Sequence, residues 1–373
     1  MTKDRLGNLS VEQFLRRHWQ KRPLLVRNAL PQCAGLVQRE LLFDLAMHDD
    51  LESRLVLRDK GRWRVRYGPF TRRELGRLPA SGWTLLVQGI DRVLPAARDL
   101  LQRFSFIPRA RLDDVMVSYA PPGGGVGPHF DSYDVFLLQL QGARRWRVSP
   151  QRDLSLIEGA PLRILRRFRA SQEWVVHPGD LLYLPPRYAH DGIAVTDGVT
   201  CSIGFRAPSA QELGTRFLEF LQEQLQLTGI YKDPGLRRQR HPAHLNDAMV
   251  EKLTRLLDEV RWSAADVERF LGCYLSEPTA NVVFVRPRRP LAPAAFARRA
   301  ARDGVRLALP TRMLFRHDVF FINGEACPAR PRAARTLRLL ADQGRLPPGR
   351  TGDQESARWL YHWYRAGYIE IGP

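Results

Sequence analysis

Residues 112–149 read LDDVMVSYAPPGGGVGPHFDSYDVFLLQLQGARRWRVS, and the fold is decided here. DDVMVSYA, DVFLLQLQG and ARRWRVSP are short apolar strands, separated by the turn signals of Pro121–Pro122, the glycine run and Gly142. The same texture continues through EWVVHPGD, LLYLPP and GVTCSIGFR, as far as Arg206. Turn signals every ~8–12 residues imply an all-β sandwich or barrel, and the lack of βαβ alternation disfavours a doubly wound sheet.

The same stretch carries the chemistry. Pro128-His129-Phe130-Asp131 follows the glycines and leads into a strong strand. Residues two apart in an extended segment share a face, so one nitrogen and one oxygen are presented side by side. A further ligand is available downstream, where Gly179-Asp180-Leu181-Leu182-Tyr183-Leu184-Pro185-Pro186 leads to His190. An apolar strand followed by a Pro-Pro bend returns the chain to the same rim. Two histidines and one carboxylate form the facial triad of non-haem Fe(II) oxygenases, which leaves three metal positions open. His177 is the competing third ligand, but it precedes the Pro178-Gly179 turn.

Such a centre needs an electron-donating co-substrate. 2-Oxoglutarate would chelate the metal at one end and require a cation for its distal carboxylate. Arg144 and Arg145 follow Gly142, and strand alternation puts only one of them inside, where a guanidinium needs an anion. Ser118, in VMVSYA, offers a hydroxyl from a neighbouring strand.

Outside this region the 373 residues suffice for two or three domains. With 44% hydrophobic and 26% charged residues the chain is of ordinary globular type, which excludes collagen, wholesale disorder and a disulfide miniprotein. Cys33, Cys201, Cys273 and Cys327 form no CxxC pair and read as free thiols in a reducing cytoplasm. No apolar run approaches ~18 residues and the N-terminus has no apolar export segment, so no membrane association is expected. Fifty-eight basic residues against 39 acidic give +19, a balance compatible with nucleic acid or a ribosome nearby. The basic run LRILRRFR at 162–169 reads either as a solvated strand face or as part of such a contact.

Upstream, Ser10–Trp19 reads as a helix capped by Ser10, and Leu24–Val26 as a short buried strand. After Pro208 the periodicity becomes helical, with Leu213, Phe217, Phe220, Leu221 and Leu225, then Val250, Leu253, Leu256, Leu257 and Val260. Apolar faces this wide predict a dimer interface. Pro278 and the PRRP at 287–290 mark a boundary, beyond which helical patches occupy 292–302, 332–342 and 354–366. DVFFINGEACP reads as a hairpin turning on Asn323-Gly324. The expected division is 1–208, 209–278 and 279–373.

PPGGGVGPHFDSYDVFLLQLQGARRWRVSP, HPGDLLYLPPRYAHDG and CSIGFRAP together resemble the JmjC-type 2-oxoglutarate oxygenases, and more narrowly the bacterial ribosomal oxygenases. FLRRHWQKRPLLVRNA fits the same family, so the resemblance covers essentially the whole chain. It implies an α+β chain: a double-stranded β-helix (a cupin or JmjC jelly-roll barrel), a helical dimerisation segment and a winged-helix-like C-terminal domain. It implies Fe(II) on His129, Asp131 and His190, with 2-oxoglutarate and O2 as co-substrates. The distal carboxylate falls to Arg144, assisted by Ser118. The implied reaction is hydroxylation of an arginine β-carbon on the sixteenth protein of the large ribosomal subunit, by a cytoplasmic homodimer that can also meet ribosomal RNA. Tyr133 and Asp134 are the candidates to hold the substrate guanidinium.

Two alternatives remain. One is the same chemistry on a histidine or a methylated lysine. The other is a nucleic-acid-binding regulator with a vestigial barrel, working through a C-terminal patch of Arg332, Arg335 and Arg338. Residues 290–373 hold 14 arginines and 7 acidic residues, 14 − 7 = +7. A basic substrate and a basic enzyme repel at long range. The barrel mouth is therefore expected to be locally acidic, or the encounter to be guided by RNA.

Overall fold

The structure is a computed structural model that describes residues 5–59, 61–228, 230–279 and 281–372. It opens with the short pair β1 (Arg5–Leu6) and β2 (Leu9–Ser10), then α1 (Val11–Arg17). Ser10 and Gln13 cap α1 reciprocally: the Ser10 hydroxyl accepts from Gln13 N, and the Gln13 side chain accepts from Ser10 N. β3 (Leu24–Val26), α2 (Arg39–Leu45), β4 (Ser53–Asp59), β5 (Arg62–Tyr67), α3 (Arg72–Leu75), β6 (Trp83–Val87) and α4 (Pro95–Gln102) lead up to the central strands. These are β7 (Leu112–Ala120), β8 (Val135–Gln141), β9 (Arg144–Ser149), β10 (Gln172–Val176), β11 (Leu181–Leu184), β12 (Ala189–Ala194) and β13 (Gly198–Phe205).

Two antiparallel sheets result. The larger has the order β3-β11-β8-β13-β7-β6-β4-β5, the smaller β10-β9-β12. Packed against each other they form a double-stranded β-helix. The central strands β8 and β11 are buried on both faces, so VFLL and LLYL read as apolar runs instead of alternating. Phe136, Leu138 and Leu140 join Val115, Val117 and Tyr119 in a core that also takes in Phe14, Leu100 and Phe104 from the helices. Val135 and Leu137 face the other way, with Leu184 of β11, and meet Trp146, Val148 and Val176 of the small sheet.

The N-terminal segment is tied to this barrel by one carboxylate. Asp180 accepts from Asn28 N at 2.8 Å, His177 N at 3.0 Å and Arg27 Nη1 at 2.6 Å, while β3 pairs with β11.

Three helices follow the barrel: α5 (Ala210–Gln224), α6 (Asp247–Leu257) and α7 (Ala264–Ser276). α5 and α6 bury no residue, and Leu218, Val250, Leu253 and Leu257 are each more than half exposed. The C-terminal unit comprises α8 (Pro293–Asp303), β14 (Val305–Leu307), β15 (Met313–Arg316), β16 (Val319–Ile322), β17 (Glu325–Pro328), α9 (Pro331–Gln343), β18 (Arg345–Leu346), α10 (Gln354–Ala366) and β19 (Ile369–Ile371). Phe296, Leu337, Leu340, Leu360 and Trp363 form its core. The hairpin turns where expected: Asn323 (φ 50°) and Gly324 (φ 90°) are both left-handed, as a two-residue turn between twisted strands requires.

α7 packs on the β15–β17 hairpin. A Cβ on Gly272 would lie 2.4 Å from the Phe321 ring, so this glycine lets helix and strand meet closely. α7 also packs on α5, with Phe270 against Phe217 and Phe220, so it bridges the helical segment and the C-terminal unit across the expected boundary at 278/279. Helical periodicity does not say which neighbour a helix chooses. The run 162–169 is likewise no strand face: it is a strap tied by a single bridge between Leu156 and Leu165. Among the described residues no helix is long and apolar enough to cross a membrane.

Because Asp180 satisfies two backbone donors and a guanidinium at once, Asp180→Ala is expected to lower unfolding stability by about 2–3 kcal/mol, read by urea denaturation.

Candidate active site

Where the two sheets diverge they enclose a cavity of about 620 Å³. His129, Asp131 and His190 line it, with ligand-capable atoms all within 4.8 Å of one another. His129 precedes β8 and is held by a single antiparallel bridge to His190, with N–H···O distances of 2.9 and 2.8 Å. The two rings lie 4.2 Å apart between centroids, and Asp131 Oδ2 sits 3.6 Å from His190 Nε2.

The backbone fixes the tautomers. His129 Nδ1 is 2.9 Å from Gly127 O, and His190 Nδ1 is 2.9 Å from Tyr188 O. A carbonyl only accepts, so each Nδ1 carries the proton and each Nε2 keeps a lone pair toward the cavity. Burial, then the neighbouring His129, lowers the His190 pKa to about 4, so the ring is neutral and ready to bind a cation. The donor set of two neutral imidazoles and a carboxylate suits a divalent transition metal.

Two glycines make this geometry possible. A Cβ on Gly125 would fall 2.6 Å from Gly192 O, so the glycine run can lie against β12. A Cβ on Gly192 would strike the Trp146 ring at 2.5 Å, and its absence admits that indole.

Trp146 stands between the triad and a buried cation. Its ring centroid is 5.9 Å from that of His190, and the Arg144 guanidinium carbon is 5.7 Å from the same indole. On the paired strands Arg144 lies opposite Ala194, Trp146 opposite Gly192 and Val148 opposite His190. Arg144 is 4% exposed, and its Nε and Nη2 have no hydrogen-bond partner. Burial lowers its pKa to about 10, still high enough for a full charge at neutral pH. Such an orphaned guanidinium calls for a carboxylate inside the cavity. Arg145 is exposed, as alternation requires. Ser118 is buried beside Thr200, its hydroxyl only 3.5 Å from Thr200 O, which leaves it able to turn to a ligand.

Asp134 requires a correction. It is fully buried on the core side, where it accepts from the Tyr183 hydroxyl at 2.6 Å and Gln20 Nε2 at 3.0 Å, with Arg111 at 3.6 Å. It therefore holds a guanidinium of the protein itself and does not reach the cavity. Tyr133 does line the cavity and is partly exposed. His177 is exposed and outside the triad.

One residue escaped the sequence reading. β7 alternates, so Asp114, Met116 and Ser118 share the cavity face. The Asp114 carboxylate makes no hydrogen bond or ion pair among the described residues, and burial followed by the charges of Asp113 and Asp91 raises its pKa to about 7. Counting two and four residues back from Ser118 would have found both Met116 and Asp114. The strap contributes Leu162 and Ile164 to the cavity wall, while Arg163 lies over Phe130 at 5.0 Å.

A double-stranded β-helix with two histidines and a carboxylate at one rim, and an unpaired cation behind them, is an oxygenase barrel of the JmjC class. The JmjC domain profile matches residues 99–213 and a ROXA-like winged-helix profile residues 259–370. The ribosomal protein uL16 3-hydroxylase of Escherichia coli (strain K12) is 33% identical over 288 residues, 76% of either chain. A probable ribosomal oxygenase of Haemophilus influenzae is 41% identical over 211 residues, 55% of this chain and 52% of that one. The structure of YcfD, a ribosomal oxygenase from Escherichia coli, in complex with cobalt and 2-oxoglutarate, superposes with a TM-score of 0.84 at 30% identity, covering 98% of this chain and 99% of that one. More distantly, a bifunctional lysine-specific demethylase and histidyl-hydroxylase of Drosophila persimilis is 26% identical over 219 residues, 55% of this chain and 31% of that one. The chain belongs to the ribosomal oxygenase family of JmjC 2-oxoglutarate oxygenases.

An unpaired buried guanidinium destabilises the ligand-free fold. Arg144→Met is therefore expected to melt no lower than the parent without ligand. Its affinity for 2-oxoglutarate, measured by calorimetry with Mn(II), should fall ~100-fold, the loss of about 3 kcal/mol of charge-assisted pairing. Arg145→Ala should leave that affinity unchanged.

Proposed function

We propose that this protein hydroxylates the β-carbon of an arginine on uL16, the sixteenth protein of the large ribosomal subunit. The observation that carries the reading is a juxtaposition in one cavity. The triad of His129, Asp131 and His190 stands between the buried Arg144 on one strand and the unpaired carboxylate of Asp114 on another. The first suits a 2-oxoglutarate tail, the second an arginine guanidinium.

When bound, iron with 2-oxoglutarate and O2 supplies an oxidant able to hydroxylate an unactivated C–H bond, with release of succinate and carbon dioxide. The chain's residues do the rest. His129 and His190 would offer Nε2 and Asp131 an oxygen to hold the metal. Arg144 pairs with the distal carboxylate, with Ser118 beside it. Trp146, Val135 and Leu137 wall the site with apolar surface and exclude water. Asp114, with Tyr133 at the rim, holds the substrate guanidinium, so that its side chain enters in one orientation.

A free carboxylate favours a permanently charged guanidinium over an imidazole that is mostly neutral near pH 7. That supports arginine over histidine as the target. The intact triad and furnished cavity speak against a vestigial barrel. Arg54 and Arg163 line the same cavity, so capture of a basic substrate by a basic protein is supported by the local contact that the unpaired Asp114 offers.

The exposed apolar side chains of α5 and α6, Leu218, Val250, Leu253 and Leu257, support a homodimer through this segment. Exposed Arg332 and Arg335 support a contact with ribosomal RNA in the cytoplasm, whereas Arg338 is tied to Asp318 and His317 O.

Intact-mass analysis of ribosomal proteins incubated with the enzyme should show +16 on uL16, localised to an arginine; a shift on histidine, or none, sinks the reading. Asp114→Asn should raise the KM for a uL16 peptide ~10–100-fold and leave that for 2-oxoglutarate unchanged. The pair Leu253→Glu and Leu257→Glu should convert a dimer to a monomer by light scattering.

A further inference from the structure

We propose that Arg312, contributed by the C-terminal unit, is a positioning residue for substrate binding in the barrel: it balances Asp113 and pins the start of β7, so that Asp114 stays available to the substrate guanidinium. The inference rests on the reading of Asp114 given above.

The geometry is that of a latch. Arg312 Nη2 donates to Asp113 O at 2.8 Å and lies 3.5 Å from Asp113 Oδ1. Arg206, just after β13, reaches the same Oδ1 from the other side at 3.3 Å and donates onward to Leu275 O at the end of α7. Arg312 is itself held rigidly. Its N–H donates to Asn323 Oδ1 at 2.9 Å and its carbonyl accepts from Asn323 N at 3.1 Å, so the hairpin turn grips it from both sides. The next residue back, Thr311, accepts Arg98 Nη2 of α4 at 2.9 Å through its carbonyl. Asp91 completes the anchorage of β7 by accepting Val115 N at 2.9 Å.

Asp113 and Asp114 are adjacent carboxylates near Asp91, and three anions this close oppose one another's ionisation. The charges that face Asp114 come from several elements. Asp91 and Arg92 lie on the turn before α4, Arg98 on α4, Glu52 and Arg54 around the start of β4, and the titratable Tyr133 at the rim, while Arg206 is paired with the neighbouring Asp113. Arg312 is the cation the C-terminal unit adds to this set, and it is largely buried, with its side chain 18% exposed. Burial, with Asp113 and Asp91, raises the Asp114 pKa, and Arg92 and Arg312 oppose that rise. Removing Arg312 therefore raises it further, and the ionised fraction at neutral pH falls. Substrate capture weakens without any change at the metal or at Arg144.

The test is hydroxylation of an arginine-containing uL16 peptide by the full-length protein across pH 5.5–9, read by mass spectrometry. Arg312→Met is expected to raise the peptide KM ~5–20-fold and to move the acid limb of kcat/KM upward by roughly 0.5–1 unit, while Mn(II)-dependent 2-oxoglutarate affinity stays at the parent value. Arg312→Lys, which restores the charge, should return the acid limb to its parent position. Arg312→Gln, which keeps a donor to the Asp113 carbonyl without the charge, guards against loss of fold and should shift the limb as Met does. In an Asp113→Asn background the acid limb should start lower, and removing Arg312 should still raise it, because its charge acts on Asp114 directly. A parent-like peptide KM and acid limb in Arg312→Met or Arg312→Gln, with Asp114→Asn defective, overturns the role of Arg312 and leaves the function standing. A parent-like peptide KM in Asp114→Asn overturns the guanidinium reading itself.

Discussion

A guanidinium buried between two sheets, with two of its nitrogens unsatisfied, is the constraint around which this barrel is arranged. Arg144 cannot be neutralised at physiological pH, and Asp191, whose charge favours its ionised form, lies on the other side of the small sheet, paired with Arg147. The cost is tolerable only if a carboxylate arrives from outside. The neighbourhood is built for that arrival. Gly192 makes room for Trp146, Trp146 spaces Arg144 from His190, and the paired backbones of β9 and β12 hold all three in order. At ~3.3 Å per strand residue, the four positions from Ala194 to His190 set a span of ~13 Å between the backbone positions that carry cation and triad. A small dicarboxylate fits between the side chains that reach into it.

The opposite wall follows a complementary logic. β7 presents Asp114, Met116 and Ser118 to the cavity and Val115, Val117 and Tyr119 to the core. An anion at one end of the strand and a hydroxyl at the other suit a cationic substrate and an anionic co-substrate entering one chamber. Net charge says little about such a site. The chain carries +19, yet its cavity presents the unpaired carboxylate of Asp114. Long-range repulsion and local attraction operate at different distances, and salt screening over ~8–10 Å separates them. The C-terminal unit contributes Arg312 to the outer side of the cavity rim, and Arg98 of α4 reaches back to Thr311 O, so the two are joined by charged side chains beside the entrance.

Much of this was legible in the residues. The strand texture from 112 to 206, the capped first helix, the Asn323-Gly324 hairpin and the three C-terminal helices each follow from local pattern, and the structure has them within a residue or two. His129, Asp131 and His190 come together because strand, bend and strand leave few routes back to the same rim. The period of a strand put only one of Arg144 and Arg145 inside, and the family resemblance chose Arg144. Asp134 was misread for an instructive reason. A charged residue next to a metal-binding pattern invites a role in the site, but its orientation depends on the Tyr183 hydroxyl and the Gln20 amide, 49 and 114 residues away in sequence. Asp114 was missed although it obeys the same alternation as Ser118, because a carboxylate at the head of a strand looks like an ordinary solvated terminus.

The sequence by itself determined most of the elements, an all-β sandwich or barrel and the ligand types, since these depend on period-two alternation, turn chemistry and donor identity, all of which are local; the class of barrel came from the resemblance. Only the tertiary structure decided which carboxylates are paired and which are free. It set Asp134 against Tyr183, Asp113 between Arg206 and Arg312, and left Asp114 facing the cavity. It also attached α7 to the hairpin instead of to α6 and made the basic run 162–169 a strap over the site. These outcomes turn on which distant groups meet once the chain is packed. Charge neutralisation and close approach are set by distances of a few ångströms between segments that the sequence keeps tens to hundreds of residues apart.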